Sequence, residues 1–226
     1  MRRHEGTARI VLASASPRRR MLLEQIGLPF EVVPSLSQEF ADTGERPAEH
    51  VQQAAALKAS SVAPRVAPEA VIIAADTIVC LDGTVLGKPD SPAEACEMLR
   101  RLSGRTHTVY TGLAVGRAGD VAEAADMAED WRELGLETGF EATRVTFRQL
   151  SDAEIGSYVD TGEPLDKAGA YAIQGRGALL VQGICGCYSN VVGLPLAKLA
   201  RMLANLGIRA LERRPARTGA SGPDGQ

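Results

Sequence analysis

The stretch VIIAADT, residues 71–77, runs five apolar residues straight into an aspartate, Asp76. A second apolar run follows and then Asp82-Gly83, the favoured pair for a two-residue type I′ turn. Counting outward from that turn sets residue 77 opposite 88, so Lys88 returns to within one residue of Asp76. Strict alternation would put the two side chains on opposite faces, but Gly87 and Pro89 flank Lys88 and break that alternation. An acid, the Thr77 hydroxyl and a lysine are thus expected at one end of a hairpin. As residues alone they read equally well as a surface ion pair. A second group lies in SASPRRR, residues 14–20. It places Arg18, Arg19 and Arg20 in the first turn of a helix, where the partial positive charge of the helix end disfavours cations. Helix amides and arginine forks converging on one point suit an anion, and phosphate best. The third group is GEPLDKAGAYAIQGRG, residues 162–177, which interleaves Glu163, Asp166, Lys167, Tyr171, Gln174 and Arg176 with glycines. Linkers seldom mix Tyr and Ile with charges this way, so a ligand-approaching loop is expected.

Other chemistries find no support. No G-x-x-x-x-G-K-[ST] and no G-x-G-x-x-G follows a strand, so neither a P-loop nor a Rossmann reading holds. His4, His50 and His107 are scattered, and no Ser-His-Asp or Cys-His order suggests a covalent nucleophile. Net charge is −3 and aromatics make up 4%, which argues against a nucleic-acid partner. Cys80, Cys96, Cys185 and Cys187 form no C-x-x-C pair and read as reduced cytoplasmic thiols. MRRHEGTAR lacks the apolar core of a signal peptide, and no apolar run reaches membrane-spanning length.

The elements that must position these residues follow from local pattern. ARIVLAS is a strand. A helix runs from Ser16 as N-cap and Pro17 as first helical residue to Ile26, with Leu22, Leu23 and Ile26 as its apolar face and Gly27 as its stop. PFEVVPS is a short strand and residues 47–62 a helix. SPAEACEMLRRLSG is the clearest helix. Ser91 and Glu94 form a capping box, and Ala95, Met98, Leu99 and Leu102 lie at i, i+3, i+4, i+7. THTVYTGLAV and EATRVTFRQL are strands, the second with Thr143, Val145 and Phe147 on its buried face. SDAEIGSYVD is a capped helix, ALLVQGICG a strand and PLAKLARMLANLG a helix ended by Gly207. Hairpins among helices predict an α/β fold with a mixed sheet.

Four blocks together, LASASPRRR, AADTIVCLDGTVLGKP, LSGRTHTVYTGL and EPLDKAGAYAIQGRGA, resemble the Maf family of nucleotide pyrophosphatases in order, over about residues 9 to 209. The resemblance implies a two-lobed α/β fold of the inosine-triphosphatase-like type. Its cleft would cut a nucleoside triphosphate between the α- and β-phosphates, with a divalent metal, Mg²⁺ or Mn²⁺. Carried over residue by residue, Asp76 is the general base, with Glu39 and Lys88 as further catalytic residues. Glu39 and Asp76 would also hold the metal. Ser14, Arg18, Arg19, Lys58, Thr77, Lys167 and Gln174 bind substrate, and Arg18, Thr77 and Gln174 select the base. ADT, DKAGAY and AIQG resemble the dTTP/UTP branch. A 7-methyl-GTP pyrophosphatase and a regulatory protein of cell division (septum formation) stand as alternatives, and a homodimer is one expectation for the assembly.

Residues 118–139 depart from the family. Seven acids face one base, Arg132, and Val121, Ala124, Ala128 and Trp131 make a weak apolar stripe. A solvated surface helix, as an acidic insertion, is expected there. Residues 1–210 read as one catalytic domain and 211–226, rich in Gly, Pro and Ser, as a disordered tail.

Overall fold

The sheet is built around two long, largely buried strands, β3 (Val71–Leu81) and β5 (Thr106–Arg117), paired antiparallel from Val71↔Arg117 to Cys80↔Thr108. The structure is a computed structural model that describes residues 9–37 and 46–211 of the 226. Among the described residues, β1 (Ile10–Leu12), β2 (Glu31–Val32), β4 (Thr84–Leu86), β6 (Glu137–Phe147) and β7 (Val181–Cys185) complete a seven-stranded sheet of order β2-β1-β3-β5-β6-β7, with β4 also on β3. β2, β1 and β3 are parallel and the other pairs antiparallel, so the sheet is mixed as expected. The β3–β4 turn matches the sequence reading. Asp82 and Gly83 have φ of 50° and 82°, as a type I′ turn requires.

Helices α1 (Pro17–Gln25), α2 (Pro47–Val62), α3 (Pro92–Leu102), α4 (Ala118–Ala125), α5 (Asp152–Val159), α6 (Tyr188–Val192) and α7 (Leu196–Asn205) flank the sheet. Three apolar clusters give two lobes that share β3 and β5. In one lobe Leu22 and Leu23 of α1 and Leu199, Met202 and Leu203 of α7 pack on Ile73, Ala75 and Leu113. The opposite face is alanine-rich, with Ala55, Ala56 and Ala59 of α2 against Ile72, Ala74 and Ala114. Small side chains let α2 come close. A Cβ on Gly112 would sit 2.0 Å from the Val51 carbonyl oxygen, so only glycine fits beneath the helix. In the other lobe Ala95, Met98, Leu99 and Leu102 of α3, the predicted face, pack with Ile155 of α5 on Val79, Val109, Val145 and Phe147. Each buried leucine contributes roughly 1.5–3 kcal/mol.

Several local expectations are corrected. Ser16 occupies the N-cap of α1, but its side chain makes no capping bond. Instead Ser14 Oγ accepts from the Ser16 amide at 3.2 Å. Glu94 reaches past Ser91 to the Asp90 amide, so only the Ser91 half of that box forms, whereas the Ser151/Glu154 box is complete. The strand expected over ALLVQGICG is confined to Val181–Cys185. Residues 178–180 belong to the 3₁₀ turn Gly175–Leu180. The acidic segment is not simply a solvated helix. β5 and β6 extend into it, α4 covers only its start, and Val121 and Leu134 are buried against the α2 side of the sheet. Trp131 carries Arg132 over its ring at 4.5 Å. The C-terminal stretch 212–226 lies outside the described residues.

Candidate active site

The site lies at a gap in the sheet. One edge of β3 pairs along its length with β5. The other edge pairs with β1 over 71–73 and with β4 over 79–81. Between them residues 74–78 have no strand partner on that edge among the described residues, and Asp76 is at the centre. β1 cannot continue, because Pro17 turns the chain into α1. β4 stops at Leu86, before Gly87, as the flanking residues of Lys88 led one to expect. The result is a cleft of about 410 Å³ whose lining includes Ser14, Arg18, Arg19, Lys58, Asp76, Thr77 and Lys88, seven of the residues singled out from sequence. Asp166, from the loop expected to approach a ligand, also lines it, as do Ser35 and Ser37, which were not foreseen.

Alternation along β3 sends Asp76 and Thr77 to opposite faces. On the α2 face, Lys58 Nζ donates to Asp76 Oδ1 at 2.5 Å, and both side chains are mostly buried. On the α1 face, Thr77 meets Arg19 and Thr111. Arg19 is not held in place by an anion alone, as the sequence suggested. Its Nε donates to the Gly193 carbonyl at 2.8 Å, one terminal nitrogen to Ser14 Oγ at 3.1 Å and the other to Thr77 Oγ1 at 3.0 Å. The guanidinium ties α1, the end of β1, β3 and the α6–α7 connection together. The Arg18 guanidinium makes no hydrogen bond among the described residues, and it lines both this cleft and an adjoining pocket.

That pocket is formed on the Thr77 face by Arg18, Thr77, Lys167, Tyr171, Ile173 and Gln174, among others, so Lys167 and Gln174 sit beside the cleft. The loop that supplies them is held from behind. Glu163 accepts from Tyr158 Oη at 2.9 Å and from the amides of Arg176 and Gly177 at 3.1 Å each. Tyr158 Oη in turn accepts from the Ala172 amide at 3.2 Å. Desolvation acts to raise the pKa of Glu163, but the Gly177, Tyr158 and Arg176 hydrogen bonds outweigh it and the carboxyl lies below its ordinary range. Partial burial likewise acts upward on Asp166, and its pairing with Lys167 outweighs it. Lys167 also donates to the Glu163 carbonyl at 2.5 Å. The Arg176 side chain lines a different, outer groove. Glu39 lies outside the described residues.

A carboxylate paired with an ammonium, further cations around an open strand edge, and a largely apolar pocket with a few polar groups on the far face can hold a polyanion by one end and a planar group by the other. Among the described residues no three His, Cys, Asp or Glu side chains group as a metal cage. No helix there is long and apolar enough to cross a membrane.

A family model for "Maf-like protein" matches residues 9–206. A curated protein of Moorella thermoacetica is 52% identical over 201 residues, covering 89% of this chain and 96% of its own length. Others, of Pelotomaculum thermopropionicum and Gloeobacter violaceus, are each 49% identical over 202 and 203 residues. They cover 89% and 90% of this chain and 98% of their own lengths. All three are named "dTTP/UTP pyrophosphatase". With the model spanning most of the chain and half the residues shared along nearly its whole length, this chain belongs to the Maf-like protein family.

Proposed function

We propose that this chain hydrolyses dTTP and UTP between the α- and β-phosphates, releasing the monophosphate and pyrophosphate. The observation that carries the reading is the gap in the β3 edge. It joins the Asp76–Lys58 pair on one face to the Thr77–Gln174 pocket on the other, in a chain about half identical to proteins of that name. The triphosphate lies in the cleft against Arg18, Lys58, Lys88 and the Ser14 end of β1. The base enters the adjoining pocket beside Thr77, Lys167 and Gln174. Asp76 accepts the proton of the attacking water on its unpaired oxygen while Lys58 holds the other. Arg18, at the junction of the two spaces, neutralises charge near the scissile bond. Arg19 sets the position of Ser14 and Thr77 and thereby shapes the phosphate segment.

A divalent cation fits this donor set. Mg²⁺ and Mn²⁺ take hard oxygen ligands, and Mg²⁺ is commonly held by one or two carboxylates plus substrate phosphates, which needs no cage. Asp76 would hold it, together with Glu39. When bound, such an ion neutralises phosphate charge and helps orient the anhydride. A cytoplasmic setting agrees with the four free thiols. Light scattering on the purified chain checks the expected homodimer. Neither 7-methyl-GTP hydrolysis nor a non-catalytic role in cell division draws support from the relatives' names.

The deciding experiment separates products from UTP, dTTP, CTP, GTP and 7-methyl-GTP by anion exchange, with Mg²⁺ or Mn²⁺. Monophosphate and pyrophosphate from UTP and dTTP are expected. Orthophosphate with a diphosphate means that the other anhydride is cut, and a preference for the purines means that the base assignment is wrong.

A further inference from the structure

We infer that Thr111, buried behind Thr77, fixes the polarity of the Thr77 hydroxyl so that it can meet a base only as a hydrogen-bond acceptor; the inference rests on the function proposed above. The oxygens run in a chain from the half-buried Thr77 into the core. Arg19 donates to Thr77 Oγ1 at 3.0 Å. Thr77 Oγ1 and Thr111 Oγ1 are 2.9 Å apart. Thr111 Oγ1 lies 3.0 Å from the Asn190 carbonyl oxygen. A carbonyl has no hydrogen, so Thr111 must donate there. Turning that proton toward Thr77 would leave two buried acceptors facing each other, since Thr111 and Asn190 are both fully buried. Thr111 can therefore only accept from Thr77. A hydroxyl has one proton and two lone pairs. The Thr77 proton is held by Thr111 and one lone pair by Arg19, which leaves a single lone pair toward the pocket that Thr77 lines. Each link polarises the next, so the order resists reversal.

An acceptor in a pocket that also carries donors has a definite complement. Arg18 and Lys167, which line the same pocket, carry donors only, and Gln174 offers either sense. The imide edge of uracil and thymine reads acceptor, N3–H donor, acceptor. Thr77 facing N3 accepts that hydrogen, with donors for the flanking carbonyls. Cytosine presents a lone pair at N3, so two acceptors would meet. Thr111 never touches the base in this arrangement. It is a positioning residue acting through Thr77.

The test measures kcat/KM of the full chain for UTP, dTTP and CTP in the parent, Thr111→Val and Thr111→Ser. Valine removes the acceptor that holds the Thr77 proton, so Thr77 can turn it toward cytosine. The UTP-to-CTP ratio is expected to fall by about tenfold, the scale of one buried hydrogen bond between neutral groups. The UTP-to-dTTP ratio should stay as in the parent, because both share the imide edge. Serine keeps the relay and should keep both ratios. A Thr111→Val protein that melts cooperatively and retains the parental UTP-to-CTP ratio overturns the inference. Because Thr111 is at the centre of the sheet, a second arm uses the parent alone with the triphosphate of pyrimidin-2-one riboside. This base keeps the cytosine N3 lone pair and lacks the amino group. Rejection supports the relay, and hydrolysis as fast as that of UTP overturns it. A parent that releases no pyrophosphate from UTP or dTTP refutes the proposed function itself, before any variant is compared.

Discussion

Acidifying the protein from about pH 7 to about pH 5 is expected to lower its stability by about 2 kcal/mol through His107 alone. His107 is on β5, 2% exposed, between the rings of Phe147 and Tyr171 at 5.1 and 5.2 Å. Its Nε2 and Tyr171 Oη are 2.7 Å apart, and Nδ1 has no partner. Either tautomer leaves Nδ1 unsatisfied, and an imidazolium would bury a charge with no carboxylate to meet it among these contacts. Desolvation accordingly lowers the His107 pKa from 6.5 to about 4. The sign follows. Below pH 6.5 the unfolded chain binds this proton and the native chain does not, so stability falls with pH until the folded value is passed. Two and a half pKa units bound the loss at about 3 kcal/mol, of which roughly two-thirds accrues by pH 5. For a chain of this size that is a fall of about 4–8 °C in melting temperature.

The assay is thermal melting of the parent and His107→Leu across that range. Leucine leaves Tyr171 Oη without a buried partner and is expected to cost about 1–3 kcal/mol at neutral pH. It should nevertheless flatten the acid slope, because no proton is left to take up. Surface carboxylates titrate alike in both proteins and cancel in the comparison. Parallel curves for parent and variant would refute the reasoning. Tyr171 also lines the pocket proposed for the base, so the same protonation should loosen substrate binding before the fold is lost.

Asp76→Asn keeps the side chain's shape and is expected to lower turnover by roughly 10²–10⁴, with little change in melting, in a pyrophosphate-release assay; near-parental turnover would remove its role as base. Arg18→Ala should raise KM for triphosphates while leaving the melting temperature equal or slightly higher, since a cation leaves the first turn of α1. Arg19→Ala should lower melting as well, by several degrees, because three hydrogen bonds across four elements are lost; identical melting of the two variants would contradict the strut role. Gly112→Ala forces the α2 backbone away from β5 and is expected to cost about 3 kcal/mol or more. It should also impair catalysis, because α2 carries Lys58, so a fully active and equally stable alanine variant would mean that the helix can yield.

What could be read from sequence was local. The Asp-Gly turn, the α3 face and the alternation of Thr143, Val145 and Phe147 depend on neighbours within a few residues, and the fold kept them. Lys88 was legible because a hairpin register is local too. Arg19 was misjudged for the opposite reason. Its partners Thr77 and Gly193 are 58 and 174 residues away, so its charge at a helix N-terminus looked unanswered. The short helix α6 escaped notice because YSNVV has no helical period. It is held from outside, by Asn190 donating to Val109 and Thr143. Ser35 and Ser37 were readable only as loop hydroxyls, and nothing in their spacing placed them beside Asp76. The acidic segment was misread because the charge count outweighed its weak stripe: Val121 was on that stripe and Leu134 was not noticed, yet both anchor the segment to the sheet.

The position of the site follows from one topological fact. β1 runs parallel to β3 and β4 antiparallel to it, and both lie on the same edge. Strands reaching one edge from opposite ends must leave either a clash or a gap, and here the α1 turn and Gly87 leave a gap. Backbone polar groups exposed there cannot stay unpaired, so water or a ligand must meet them. A gap in an edge also admits a ligand to both faces of the sheet at once, which an intact edge forbids. Since successive residues point oppositely, one step along β3, from Asp76 to Thr77, carries the chemistry from the Lys58 face to the Arg19 and Thr111 face. A nucleotide has the same division, with its phosphates and base joined by a sugar. If the proposed function holds, the adjacency of an acid and a hydroxyl in AADT matches that division, and moving either residue by one position would send its side chain to the other face.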